Sequence, residues 1–141
     1  AEVHTTTTWT TSVCSGSLML GAAGALDGLA ATSHWYCVDE LAQFGAVPTR
    51  RRVVSDGKVI TAAGVSAGID MALGLAERIS GTAYAQAIQL DMEYAPEPPL
   101  DAGTPATTPA EVVAMLSDMY DQMLLGAPTC PITSLATNLD S

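Results

Sequence analysis

Short runs of β-prone residues alternate along the chain with segments of helical periodicity. Residues 9–13 and 30–34 form two of these runs, and Val53-Val54 and residues 59–61 form two more. The last two flank Ser55-Asp56-Gly57-Lys58, which is the strongest hairpin signal in the chain. Strands that alternate with helices predict an α/β domain with a mainly parallel sheet. Three or four strands are few for an open sheet, so we expect the Thr-rich start to add a strand or the sheet to be incomplete.

The first half of the chain contains two predicted helices. The segment after Cys14 is apolar on nearly every face, which predicts burial on both sides, and Gly24 is placed to end it. Residues 37–44 suit a short amphipathic helix that Gly45 would cap.

Three further helices are predicted in the second half. The first carries one apolar stripe, formed by Val65, Ile69, Ala72, Ala76 and Ile79. The second covers residues 82–92, with Ala83, Ala87 and Leu90 facing inward. Thr108-Pro109-Ala110-Glu111 is a capping box that opens the third, which is predicted to end at Gly126. We therefore expect one domain over residues 1–126 and a loose Thr/Ser/Pro-rich tail over residues 127–141, which contains Cys130.

Composition narrows the classes of partner. A hydrophobic fraction of 48% in 141 residues is enough for a real core. A net charge of −10 argues against a nucleic-acid partner, because such proteins carry clustered Lys and Arg. The one basic cluster, residues 50–52, opens a predicted strand, and a solvated strand end is favoured over an anion site.

The number of cysteines and the length of the apolar runs indicate the cellular compartment in which the protein works. Three cysteines are an odd number with no spacing typical of a disulfide framework or a zinc site, which favours a reducing compartment. The longest apolar run, residues 18–26, is too short to span a bilayer. We therefore expect a cytoplasmic protein without a membrane partner. His4 and Glu2 offer no third ligand, so neither a metal nor another cofactor is expected.

Cys14 is the strongest candidate for chemistry. A β-prone run ends at this residue, and Ser15 and Gly16 then turn the chain into an apolar helix. Small residues beside a nucleophile are typical of a sharp strand-to-helix elbow. The helix N-terminus that follows favours a thiolate over a thiol and so raises reactivity. The alternative, a buried structural cysteine, is left equally open by this pattern alone.

Longer segments carry a family resemblance. Thr11-Ser12-Val13-Cys14-Ser15-Gly16-Ser17-Leu18, Ser33-His34-Trp35, Ala67-Gly68-Ile69-Asp70 and residues 93–99 occur in the order expected for the ThiJ/PfpI superfamily. The chain resembles this superfamily over residues 10–113, and within it the isocyanide hydratases. The resemblance implies a flavodoxin-like fold similar to class I glutamine amidotransferases. Family members also have an earlier βαβ portion with an acidic residue and a Gly-rich loop, and neither has a counterpart before Cys14.

The resemblance implies roles for individual residues. Cys14 would be the nucleophile that adds to an isocyanide carbon, and the backbone N–H groups of Ser15 and Gly16 would stabilise the adduct. Gly64 and Val65 would form a wall of the substrate pocket. His34 is a candidate base, although a histidine fixed by hydrogen bonds at the pocket edge is favoured. Without the acidic residue and the Gly-rich loop, we expect the chain to be weak or inactive alone.

Other functions remain open at this stage. A ligand-sensing or redox-sensing module without turnover would use the same fold, and an exposed reactive thiol oxidises readily. A glyoxalase or deglycase relative is a further alternative. Because family members commonly dimerise, we also expect a homodimer acting on a small-molecule substrate.

Overall fold

The fold is described by a computed structural model that covers residues 2–125. Its central sheet has three strands, β1 (Thr10–Val13), β4 (Val53–Asp56) and β5 (Val59–Ala62), in the order β1-β5-β4. β1 and β5 are parallel, with Val13 opposite Ala62. All four residues of β5 are buried, as expected for the central strand. The register brings the carboxyl ends of β1 and β5 to the same edge, where Cys14 lies.

The predicted hairpin is confirmed. β4 and β5 pair in antiparallel register, with Asp56 opposite Val59. Gly57 lies in the turn with a φ of 55°, a left-handed conformation that glycine adopts without steric cost. Aspartate before glycine at such a turn is the signal that the sequence carried.

A second, smaller ladder joins β2 (Ala30–Ala31) to β3 (Val47–Pro48) in parallel. The strand predicted over residues 30–34 therefore ends early. The backbone N–H of Thr32 donates to the Oγ1 of Thr61 at 2.9 Å, so a side chain in β5 replaces the next strand partner. A 3-10 helix, Asp39–Phe44, precedes β3 and ends at Gly45 (φ 76°), which confirms the predicted cap.

Five α-helices complete the described chain: α1 (Glu2–Thr6), α2 (Gly16–Ala22), α3 (Ala67–Ser80), α4 (Thr82–Asp91) and α5 (Ala110–Leu125). The Thr-rich start is thus partly a single helical turn rather than a strand. The predicted tail, including Cys130, lies outside the described residues. Within residues 2–125, no helix combines the length and hydropathy that a bilayer crossing requires.

The prediction of which face of α3 is buried was wrong. Ile79 is exposed, and the buried residues are instead Ala67 and Met71, which pack against β5. Gly68 lies against Val13, because a Cβ on Gly68 would stand 3.0 Å from both γ-methyl groups of that valine. Small residues let the first turn of the helix approach the sheet closely, and Met71 packs on the sheet one turn further along.

The faces of α2 and α4 also differ from expectation. α2 buries Leu18 but leaves Met19 72% exposed, so it packs on one side only. That side is set by Gly21, which lies against the ring of Phe44. In α4, Ala85 is buried while Leu90, predicted to face inward, is exposed. α4 packs mainly on α3 and contributes little to either buried core cluster.

Candidate active site

The backbone at Cys14 is held in an unusual conformation. Its φ is 58°, and Glu93 is the other non-glycine residue between 2 and 125 with positive φ. A left-handed conformation costs a non-glycine residue about 1–3 kcal/mol, so surrounding contacts must enforce it. The N–H of Cys14 donates to the carbonyl of Ala62 at 3.0 Å, which ties the residue to the end of β5. Cys14 itself is half-buried, so it is not enclosed by the core.

Two buried hydroxyls fix the carbonyl of Cys14. Ser33 Oγ donates to this oxygen at 3.0 Å, and Ser17 Oγ donates to it at 3.3 Å. Both serines are almost completely buried. Ser33 arrives from the segment after β2, so its bond joins the elbow to a distant part of the chain. In the sequence, Ser33 stands out only as part of the family motif, and no local pattern predicts its hydrogen bond to the Cys14 carbonyl.

Ser15 and Gly16 lie at the start of α2, at the predicted turn from the strand into the helix. They precede the first intrahelical hydrogen bond, so their N–H groups have no intrahelical acceptor. Ser15 is exposed and Gly16 is half-buried, which leaves this turn open to a ligand.

A second thiol lies behind the elbow. Cys37 Sγ is 3.4 Å from Ser33 Oγ, and Cys37 is 7% exposed. The order of contacts is therefore the carbonyl of Cys14, the hydroxyl of Ser33 and the thiol of Cys37. Because Cys37 belongs to the buried core, its surroundings are those of a structural cysteine.

His34 is placed beside aromatic rings. Its imidazole centroid is 5.5 Å from Trp35 and 5.4 Å from Tyr120. Burial lowers the pKa of His34 below its usual value, so the neutral imidazole predominates at neutral pH. Among the described residues, no hydrogen bond joins His34 to Cys14.

A cavity of about 660 Å³ lies next to the elbow. Its walls come from residues 32–35, 50–52, 63–64 and 103–106, with Val38 and Ser66. Cys14 is not in the lining, but its hydrogen-bond partner Ser33 is, and so is Ala63, which follows the partner Ala62. Of the two residues expected to form a pocket wall, Gly64 lines the cavity, whereas Val65 is 78% exposed and lies outside the lining.

One rim of the cavity is fixed by a polar network. Arg52 forms an ion pair with Asp70 and donates to Ser66 Oγ at 3.2 Å. Tyr94 Oη donates to the other oxygen of Asp70 at 2.7 Å. Burial acts to raise the pKa of Asp70, but the hydrogen bonds from Arg52 and Tyr94 outweigh it, so this pKa lies below its usual value. The network joins α3 to the arginine segment and to the chain after α4.

The described part of the chain contains no group of three or more histidine, cysteine or carboxylate side chains placed to hold a metal ion.

Comparisons with known proteins agree with this arrangement. The model of the DJ-1/PfpI family matches residues 1–78. An isonitrile hydratase of Pseudomonas putida is 53% identical over 105 residues, which are 74% of this chain and 46% of that protein. The crystal structure of a ThiJ/PfpI family protein from Pseudomonas syringae has a TM-score of 0.82 and 48% identity, over 84% of this chain and 49% of the other. Drosophila melanogaster DJ-1beta has a TM-score of 0.55 and 25% identity, over 62% and 47%.

The chain spans about half the length of the relatives that it matches. The matched region includes the elbow, the segment of His34 and the loop of Gly64. The mixed α/β arrangement, with parallel pairing of β1 with β5 and of β2 with β3, is the expected flavodoxin-like fold. The chain belongs to the DJ-1/PfpI family.

Proposed function

We propose that this chain carries the nucleophile of an isocyanide hydratase, which converts an isocyanide and water into an N-formamide. The observation that supports this most is the left-handed Cys14 at the end of β1, in a chain 53% identical to an isonitrile hydratase. Isonitrile and isocyanide are two names for the same functional group. The reaction is a hydration, so the enzyme class is a hydro-lyase.

The reaction proceeds through a covalent adduct on Cys14. The thiolate adds to the terminal carbon of R–N≡C, and that carbon takes up a proton to give the thioimidate R–N=CH–S–Cys. Water then adds to the same carbon, the nitrogen is protonated, and the C–S bond breaks. The products are R–NH–CHO and the free thiol, so no oxidant or reductant is needed.

In this proposal the elbow holds the nucleophile in a fixed position and supplies hydrogen-bond donors for the adduct. The carbonyl of Cys14 is held by Ser33 and Ser17, which keeps the residue in its left-handed conformation beside α2. The N–H groups of Ser15 and Gly16 are the proposed donors to the oxygen that develops when water adds. Gly64 and the neighbouring cavity are the proposed substrate pocket, and His34 is a proposed contact at its edge.

The reaction also needs a group that transfers protons to and from the adduct. No carboxylate between residues 3 and 123 is hydrogen-bonded to Cys14, and His34 does not reach it by a hydrogen bond. We therefore expect the 141-residue chain to form the adduct but to turn over slowly.

The test is incubation with phenyl isocyanide while formanilide is followed by liquid chromatography. Cys14→Ala is expected to abolish any formanilide above the uncatalysed rate, and Cys37→Ala is the matched control that keeps the nucleophile. Intact mass and peptide mapping should locate an added phenyl isocyanide on the peptide that contains Cys14. Formanilide production by Cys14→Ala at the rate of the parent chain would refute the proposal.

The alternatives give different results in the same assays. Saturable binding of the isocyanide without adduct or product would indicate a sensing module. Lactate production from methylglyoxal that depends on Cys14 would indicate a glyoxalase. Conversion of Cys14 to sulfenic or sulfinic acid by mild peroxide, with no isocyanide chemistry, would indicate a redox sensor.

A further inference from the structure

We propose that the cavity beside the elbow binds a carboxylate, so that the substrate is an isocyanide with an apolar or aromatic body and an anionic end held by Arg51. This inference rests on the proposed function for the isocyanide group, and the anion site rests on the cavity alone. The sequence favoured a solvated strand end for residues 50–52, and the structure gives three reasons to assign them differently.

The first reason is the distribution of charge. Arg50, Arg51 and Arg52 all line the cavity, which places three of the five basic residues of the chain at this one site. None of the lining residues is an aspartate or glutamate, although the chain has 15 acidic residues. A cavity wall of this composition attracts an anion against the strongly negative charge of the whole chain.

The second reason is that two of these arginines are neutralised and one is not. Arg50 forms an ion pair with Asp39, and Arg52 forms one with Asp70. Within the described part of the chain, no ion pair or hydrogen bond engages the side chain of Arg51. Its planar guanidinium can therefore give two parallel hydrogen bonds to a carboxylate.

The third reason is the shape and chemistry of the rest of the cavity. A volume of about 660 Å³ is typical of a site for a small organic ligand. Trp35, Val38 and Pro105 supply apolar surface to the lining. Ser33, which is hydrogen-bonded to the backbone of Cys14, and Ala63, which follows the other backbone partner of Cys14, are part of the cavity wall. A ligand with an aromatic body thus has an apolar wall and a cationic end, in a cavity whose wall adjoins the backbone of the elbow.

The test measures binding without chemistry, by calorimetry on the full chain. The probe is 4-formamidobenzoate, the product expected from 4-isocyanobenzoate, and the comparison ligand is the uncharged 4-formamidobenzamide. We expect the carboxylate to bind about tenfold or more tightly than the amide, which is the difference for one charge-assisted pair. Arg51→Gln should remove that preference and leave the affinity for the amide unchanged.

Two further variants serve as controls. Arg51→Lys keeps the charge without the planar fork, so it should retain part of the preference. Arg78→Gln removes the same charge outside the cavity lining and should keep the full preference. Because Arg51 is exposed, its substitution should not unfold the chain.

Equal affinity for the two ligands, no binding of either, or an equal loss of preference in Arg78→Gln would overturn the anion site. Product binding requires no catalysis, so the anion site stands or falls separately from the isocyanide reaction. If Arg51→Gln loses the preference while phenyl isocyanide is never hydrated, the cavity assignment holds and the proposed function fails.

Discussion

The backbone strain at Cys14 can be measured with two substitutions that both remove the thiol. Glycine adopts a φ of 58° freely, whereas alanine keeps the Cβ that opposes it. We expect Cys14→Gly to be more stable than Cys14→Ala by about 1 kcal/mol. Urea unfolding followed by circular dichroism gives both free energies. If alanine is as stable as glycine, the elbow is not strained.

The hydrogen bonds to the Cys14 carbonyl lead to a second comparison, between the stabilities of two variants that each lose a buried serine hydroxyl. Ser33→Ala removes the hydrogen bond to that carbonyl and should lower the free energy of unfolding by about 1–3 kcal/mol. Ser12 is the matched case, because its buried Oγ has no hydrogen-bond partner among the described residues. Ser12→Ala should therefore be neutral or stabilising. A loss of equal size in both variants would show that volume, not hydrogen bonding, decides the result.

Because of His34, the free energy of unfolding is expected to fall as the pH falls. Burial lowers its pKa in the folded chain below 6.5, so the unfolded chain takes up the proton first as pH falls. The stabilisation from neutral His34 is therefore complete above the unfolded pKa and is lost as pH falls through the folded pKa. Between about pH 7.5 and 5.5, His34→Gln should lose stability less steeply than the parent chain. An unchanged slope in His34→Gln would show that another group sets this pH dependence.

At the residue scale, the sequence predicted the strand-to-helix elbow at Cys14 but not the contacts that support it. Cys14 was recognisable because small residues follow a β-prone run, which is a local pattern. Ser33 is 19 positions away, and its bond to Cys14 depends on how β2 leads into the chain beside β5. Contacts of that kind arise from tertiary packing and leave no periodic signal.

At the element scale, α3 offers the sharpest test of how the site is positioned. A Cβ on Gly68 would press both γ-methyl groups of Val13, the residue directly before Cys14, whereas a Cβ on Gly74 would meet open space. Gly74→Ala should stabilise the chain by up to about 1 kcal/mol through helix propensity. Gly68→Ala should be less stable than Gly74→Ala by about 1–3 kcal/mol, because a stiff valine must move.

Labelling of Cys14 by a maleimide gives a second readout for the same pair. Gly68→Ala should change the labelling rate through Val13, while Gly74→Ala should leave it unaltered. If the two variants have the same stability and the same labelling rate, α3 does not set the position of the elbow.

The elements themselves were largely predictable, and their faces were not. The hairpin and the cap at Gly45 follow from turn chemistry, which acts over a few residues. The buried face of α3 differs from the predicted stripe, which included Ile69 and Ile79, because Ala67, Gly68 and Met71 make the contact with the sheet. Close approach of a helix to a sheet is a property of the pair, so one helix alone does not reveal it.

At the scale of the whole molecule, the chain exposes much apolar surface. α5 presents Met115, Met119 and Met123 to solvent at 60%, 40% and 72% exposure. Their spacing of four residues puts them along one side of the helix. Contiguous exposed apolar side chains are typical of interaction surfaces. The expected homodimer remains a prediction, and this side of α5 is the surface that we would assign to it.

Sedimentation velocity over a range of concentrations tests that assignment. Each partner carries a net charge of −10, so repulsion opposes a homodimer and added salt should strengthen it by screening. Replacing the three α5 methionines by glutamine should weaken association, because it removes apolar burial without altering charge. Leu90→Gln with Ile79→Gln is the control, since these apolar residues are also exposed, at 81% and 65%, but lie on α4 and α3. A chain that sediments as a monomer at every concentration and salt level has no such dimer, and a control that dissociates as fully as the methionine variant moves the interface away from α5.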